Sequence, residues 1–226
     1  MNTVLEEKGD GIQHDLTRLM RTLEQMTPEE RIIAQERNRK QKEANRASQV
    51  ETLRSEMHAP TRHMDTQGVR EGKWGEKIAK LEQRLGTGFT VAIVGLRGTG
   101  KTQMAVDLMK VATERFMSAR FLTAVEFFME VKATFRKESV ESDLDIIKRY
   151  RKPKLLVIDE IGKRSDSAWE NTLLFELLNK RYNDKTDTLL IDNRSEKEFA
   201  VGIGASLASR IAESGGLINC DWESFR

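Results

Sequence analysis

The sequence predicts an α/β protein: a five-stranded parallel sheet with helices on both faces, preceded by a helical N-terminal arm. Three observations carry this. From Trp74 onward, five short apolar runs alternate with helical stretches, the pattern of strands buried on both faces. Before residue 70 the periodicity is helical only. A glycine-rich turn joins the first apolar run to the helix that follows it.

The arm comes first. Ile12, Leu16, Leu19, Met20, Leu23 and Met26 fall on one stripe of an amphipathic helix. Thr27-Pro28-Glu29-Glu30 then restarts the chain. Thr27 can cap, Pro28 suits a first helical position, and Glu30 completes a capping box. The helix expected over 28–57 is mostly polar, with five basic residues and one acidic residue between 37 and 46. Val50, Leu53 and Met57 are its expected buried edge. Two such helices bury little area by themselves. They form a hairpin packed on the rest of the chain, a partly disordered arm, or a docking arm whose apolar stripe meets a partner protein. Ala59-Pro60 ends the second helix, and residues 61–73 read as a linker. The expected division is therefore an arm over 1–70 and a catalytic domain over 71–226.

In that domain, strands are expected at 89–95, 120–124, 154–161, 187–193 and 217–221. Helices are expected at 74–85, 101–117, 125–137, 142–150, 167–183 and 205–214. Composition narrows the class. Lys and Arg number 38 and Asp and Glu 36, a net charge of +2, which excludes a polybasic nucleic-acid coat. Any nucleic-acid contact must be local. One cysteine, Cys220, excludes a disulfide framework and a cysteine zinc knuckle within the chain. No run approaches ~20 apolar residues, and the first residues lack a signal-peptide core. A cytoplasmic protein without a membrane span is the expectation.

Two motifs carry chemistry. Gly95-Leu96-Arg97-Gly98-Thr99-Gly100-Lys101-Thr102 fits G-x-x-x-x-G-K-[ST]. Glycines let backbone N–H groups turn onto phosphates, and the following helix adds its dipole. Gly95, Arg97, Gly98, Thr99, Gly100, Lys101 and Thr102 are the expected ATP-binding residues. Lys101 supplies charge to the β- and γ-phosphates, and Thr102 a hydroxyl ligand for Mg²⁺. In the second motif, Leu155-Leu156-Val157-Ile158 delivers Asp159 and Glu160 to the C-terminal edge of a strand, where ligands sit in open parallel sheets. Asp159 is placed for Mg²⁺, and Glu160 to deprotonate an attacking water. Strand 187–193 ends in Asn193, which is either a sensor of the γ-phosphate or an Asx turn.

With these residues in place, the chain resembles the AAA+ ATPases of the DnaC/IstB type, bacterial and phage helicase loaders and helper ATPases of transposition. The resemblance covers about residues 89–226. It rests on GLRGTGKT, LLVIDEIG, the strand ending in Asn193, and the closing stretch SLASRIAESGGLINCDWESFR. It implies a P-loop AAA+ (ASCE) domain lacking a C-terminal helical lid, and ATP hydrolysis with Mg²⁺. It further implies that Arg210 is an arginine finger acting on a neighbouring subunit's ATP, hence a ring or spiral homo-oligomer. A single-stranded DNA path is implied at Lys132, Phe135, Arg136 and Lys137, with Ser167 and Trp169. Cations that track phosphates beside aromatics that stack bases suit such a role; otherwise Phe135 and Trp169 pack the core. The resulting expectation is an ATP-dependent loader that binds a replicative helicase through its arm. The alternative is an IstB-like helper of transposition acting on duplex DNA. A metabolic kinase is disfavoured by the Asp159-Glu160 pair and the Arg210 ending.

Overall fold

The computed structural model describes residues 26–136 and 138–225. The expected helix over 12–26, apart from Met26, lies outside the described residues, as does Lys137. Contacts divide the chain into two units, Met1–Gln49 and Val50–Arg226.

Helix α1 runs Pro28–Ser55. Its capping box forms as expected: the Thr27 N–H donates to Glu30 Oε2 at 2.8 Å, and the Glu30 N–H donates to Thr27 Oγ1 at 3.2 Å. None of its described residues is buried.

The second unit is the α/β domain. It takes in residues after Val50, so the compact unit begins well before the expected boundary at residue 70. Met57 explains why. Its side chain is fully buried in the core, and its carbonyl accepts the Phe121 N–H at 2.8 Å. Met57→Ala is expected to cost about 2–5 kcal/mol of unfolding free energy, the usual range for a buried Met truncated in a packed core. Denaturant titration checks this; a midpoint equal to wild type would mean that residue 57 does not belong to the folding unit.

Within the unit come α2 (Thr61–Met64), α3 (Gly72–Arg84), β1 (Thr90–Gly95), α4 (Lys101–Glu114), β2 (Ala119–Thr123), α5 (Ala124–Ala133) and α6 (Asp143–Arg151). There follow β3 (Leu155–Asp159), a 3₁₀ turn at Ile161–Lys163, α7 (Ala168–Asn183), β4 (Asp187–Ile191), α8 (Glu196–Ile203), α9 (Ala205–Ser214) and β5 (Gly216–Cys220). The five strands are parallel in the order β2-β3-β4-β1-β5. Alternation along each strand sorts the core into two layers. Val91, Ile93, Val157 and Leu189 face α3 and α4, whereas Ala92, Val94, Ile158 and Leu190 face α5 to α9. Among the described residues no helical lid follows β5.

Three differences from the expected elements have local causes. Helix α8 occupies a stretch for which no element is expected from sequence. Ser195 and Glu198 form a capping box there, an S-x-x-E start signal. Helix α5 stops at Ala133 because the next turns tighten. Thr134, Phe135 and Arg136 donate to carbonyls three residues back, and the Thr134 hydroxyl takes the Val131 carbonyl at 2.8 Å. Helix α4 ends at Glu114, where Phe116 adopts a left-handed φ of 60° and the Met117 N–H returns to Ala112.

The sheet order decides the site. β4 lies between β1 and β3, so the residues after β4 stand between the glycine loop and the acidic strand end.

Candidate functional site: the phosphate loop and its cavity

The C-terminal edge of the sheet opens on a cavity of ≈ 560 Å³. Arg97, Gly98, Gly100, Lys101, Thr102, Asp159, Glu160 and Asn193 all line it. The glycine loop, the acidic pair and the polar strand end are thus brought together.

The loop wraps around its own lysine. Gly95, Gly98 and Gly100 have φ of 128°, 85° and 78°, conformations that L side chains rarely adopt. Gly100 is also crowded: an added Cβ would lie 2.9 Å from Trp74 Nε1 and 3.2 Å from Phe225. The Lys101 ammonium donates to the Gly95 and Leu96 carbonyls at 2.7 and 2.6 Å. Burial pulls its pKa below the usual lysine value, while Asp159 and Asp192 act against that. Thr102 Oγ1 donates to Asp159 Oδ2 at 2.8 Å. Asp159 Oδ1 accepts the Glu160 N–H at 2.6 Å. Burial raises the Asp159 pKa, and those two bonds oppose it.

Glu160 has a left-handed φ of 58°. For a non-glycine residue this is a strained conformation of the kind that clusters at functional sites. It turns the side chain off the strand line, where Lys163 pairs with its carboxylate.

This donor set fits a nucleoside triphosphate with a hard cation. An ammonium and the N–H groups of a glycine-rich loop suit phosphate oxygens, and a hydroxyl beside a carboxylate suits Mg²⁺.

Part of the cavity wall was not anticipated. Thr66, Gln67, Gly68 and Val69, expected as linker, line it. They are tied to α4 by polar side chains. Gln103 Nε2 donates to the Thr66 carbonyl at 3.0 Å and to Asp107 Oδ1 at 2.9 Å. Thr66 Oγ1 donates to Gln103 Oε1 at 2.7 Å, and the Gly68 N–H to Asp107 Oδ2 at 2.8 Å. Lys110 Nζ also reaches the Thr66 carbonyl, at 2.6 Å. Gln103, Asp107 and Lys110 form a polar stripe on an otherwise buried helix, and that stripe was the available signal.

Arg210 lies on α9 and does not enter this cavity. Its guanidinium donates to Asn179 Oδ1 and stands 5.1 and 5.4 Å over the rings of Phe175 and Tyr182.

The DNA candidates gather elsewhere on the domain. Lys132 Nζ stands 5.5 Å from the Trp169 ring centroid, and Phe135 meets Trp169 edge to face at 5.7 Å. Phe135 is 62% exposed. Ser167 caps α7 by accepting the Glu170 N–H at 3.2 Å. Arg136 is exposed just beyond α5.

A parallel sheet of this order, with a phosphate loop after β1 and an acidic pair after β3, defines a P-loop ATPase fold of the AAA+ class. The family described as IstB-like ATP binding protein matches residues 8–211, and the chain belongs to that family. It is 26% identical over 133 residues to the replicative helicase loader DnaC of Escherichia coli (strain K12), covering 58% of this chain and 54% of that one. It is 31% identical over 109 residues to an insertion sequence IS232 putative ATP-binding protein of Bacillus thuringiensis subsp. berliner, covering 48% and 42%. The chain therefore spans about half the length of the curated relatives it matches. A crystal structure of the DnaC helicase loader shares the fold, with a TM-score of 0.61 at 19% identity over 71% of this chain and 99% of that one. Among the described residues no helix is long and apolar enough to cross a membrane.

Proposed function

We propose that the chain is an ATP-dependent loader that places a replicative helicase on single-stranded DNA. In this reading the N-terminal arm docks the helicase and the α/β domain, which begins near Val50, hydrolyses ATP. Lys101 and the loop N–H groups hold the phosphates. Thr102 and Asp159 hold Mg²⁺, which when bound neutralises charge on the β- and γ-phosphates. Glu160 takes the proton of the attacking water, and Asn193, at the edge between them, orients that water. Arg210 acts on the ATP of an adjoining copy in a ring or spiral, since its guanidinium lies outside the chain's own cavity. Release from Asn179 and the two rings would be the cost of that engagement.

The observation that favours single-stranded DNA is the cluster of Lys132, Phe135 and Trp169. It presents a cation and an exposed ring that meets a second ring edge to face. Stacking on such faces tolerates any sequence and contributes about 1–3 kcal/mol per base. Glu170, buried except for 3% of its surface, sits 3.7 Å from Lys132 Nζ and holds the ammonium near the ring.

Phe135→Ala is therefore expected to weaken oligo-dT binding roughly ten- to a hundredfold. Lys132→Ala should weaken it for all sequences and flatten the salt dependence by somewhat under one unit. Fluorescence anisotropy of labelled oligo-dT and of a duplex, with ATP present, measures both. Unchanged oligo-dT affinity in two folded variants would sink this path. The similarity to the insertion-sequence protein favours a second reading, a helper ATPase of transposition. A clear preference of the wild type for duplex would select it.

A further inference from the structure

The stretch after β5, Asp221-Trp222-Glu223-Ser224-Phe225, has no part in the chemistry above. Its contacts are nonetheless with the phosphate loop. Trp222 Nε1 donates to the Thr99 carbonyl at 3.0 Å. The Phe225 main-chain N–H donates to the Gly98 carbonyl at 3.0 Å. Trp74, at the start of α3, reaches the Gly100 carbonyl with its own ring N–H at 3.4 Å. Consecutive carbonyls of the loop are thus held by donors belonging to two distant segments, and Trp74 and Phe225 also line the cavity.

Peptide geometry gives these contacts a consequence. A trans peptide directs each C=O and the N–H of the next residue to opposite sides, and the structure contains no cis peptide among its described residues. Tying the Gly98 and Thr99 carbonyls therefore fixes the Thr99 and Gly100 N–H groups on the side opposite their donors. The carbonyls nearer β1, of Gly95 and Leu96, are taken instead by Lys101 itself. A glycine-rich loop has little intrinsic preference for this arrangement, because glycine populates many backbone states. These donors select one.

The stretch is itself secured. Trp222 packs against the core layer that contains Trp74 and Cys220. Asp221 pairs with Lys73, the neighbour of Trp74, at 3.3 Å.

We propose that Trp222 and the Phe225 main chain are positioning groups for phosphate binding, preorganising the loop N–H groups before nucleotide arrives. This rests on the reading of the cavity as an ATP site. It makes a specific demand: loss of the Trp222 N–H should affect recognition of phosphates and leave the nucleoside alone.

Trp222→Phe removes the donor and keeps a ring. Affinities for ADP and for adenosine, each measured by displacement of a fluorescent ADP analogue, give the test, with thermal melting alongside. Expected is a roughly two- to tenfold loss for ADP, the scale of one hydrogen bond, with adenosine unchanged. The ratio of the two affinities is the deciding quantity, since partial unfolding lowers both alike. An unchanged ratio in Trp222→Phe, whether both affinities hold or both fall, would overturn the positioning role and leave Trp222 a packing residue. A wild type that binds ADP no better than adenosine would instead overturn the ATP site on which the proposal stands.

Discussion

Lys101→Ala is expected to lose ATP and ADP binding by roughly a hundredfold or more. Lys101 is nearly buried inside the loop, 5% exposed, and a second lysine that lines the cavity, Lys163, is paired with Glu160. Hydrogen bonds to a charged group contribute about 1.5–3 kcal/mol each, and two phosphate oxygens lose such a bond together. The variant also leaves the Gly95 and Leu96 carbonyls without the ammonium that now joins them. The loop should therefore relax as well as lose charge. Calorimetric titration with ATP and with ADP measures the effect. Wild-type affinity in Lys101→Ala would remove the loop from the nucleotide site.

Glu160→Gln is expected to separate binding from turnover. An amide has the size of the carboxylate but cannot accept the proton of an attacking water. Removal of a general base typically lowers kcat by about 10²–10⁴-fold. ATP affinity should persist, because in the proposed site the phosphate and metal ligands are Lys101, the loop N–H groups, Thr102 and Asp159. The left-handed backbone at Glu160 and its N–H bond to Asp159 do not depend on the side chain, so the acidic turn should keep its shape. Single-turnover hydrolysis beside equilibrium binding distinguishes the steps. Hydrolysis at the wild-type rate would rule out Glu160 as the base and direct attention to another acceptor near Asn193.

Both variants concern residues visible from sequence. The phosphate loop was legible because its chemistry needs residue types at fixed spacing within one short stretch. The acidic pair was legible because a run of four apolar residues announces a buried strand, and the residues just past its end must sit at an edge of the sheet. The adjacency of Asn193 to both needed one further inference, that its strand lies between theirs. The observed order bears that adjacency out. Helix α8 was missed although its capping box is present in the sequence as Ser195-Glu196-Lys197-Glu198. The local signal was there, but the stretch is too short for periodicity to reveal it.

The residues that escaped sequence reasoning share a different property. Their partners lie far along the chain. Arg181 is the clearest case. In sequence it is a basic residue in the last turn of a helix, suited to the helix dipole. In the fold it is completely buried, donating to the carbonyls of Tyr150, Arg151, Pro153 and Asp187 and to Thr188 Oγ1. Burial pulls its pKa down to about 9, so it remains a cation at neutral pH and joins the end of α6 to the starts of β3 and β4. Nothing in its neighbours along the chain specifies this.

The sequence by itself determined the alternating strands and helices, the phosphate loop and the acidic strand end, because these arise from periodicity and spacing over a few residues. Tertiary structure alone decided that Met57, legible as a buried edge, packs into the core of the α/β domain, that residues 66–69 wall the cavity, and that Trp222 and Phe225 hold carbonyls of the loop. Those contacts join segments separated by much of the chain. They form because burying apolar side chains and pairing main-chain polar groups are satisfied only when the whole sheet has closed, and no local pattern encodes which distant group will supply the partner.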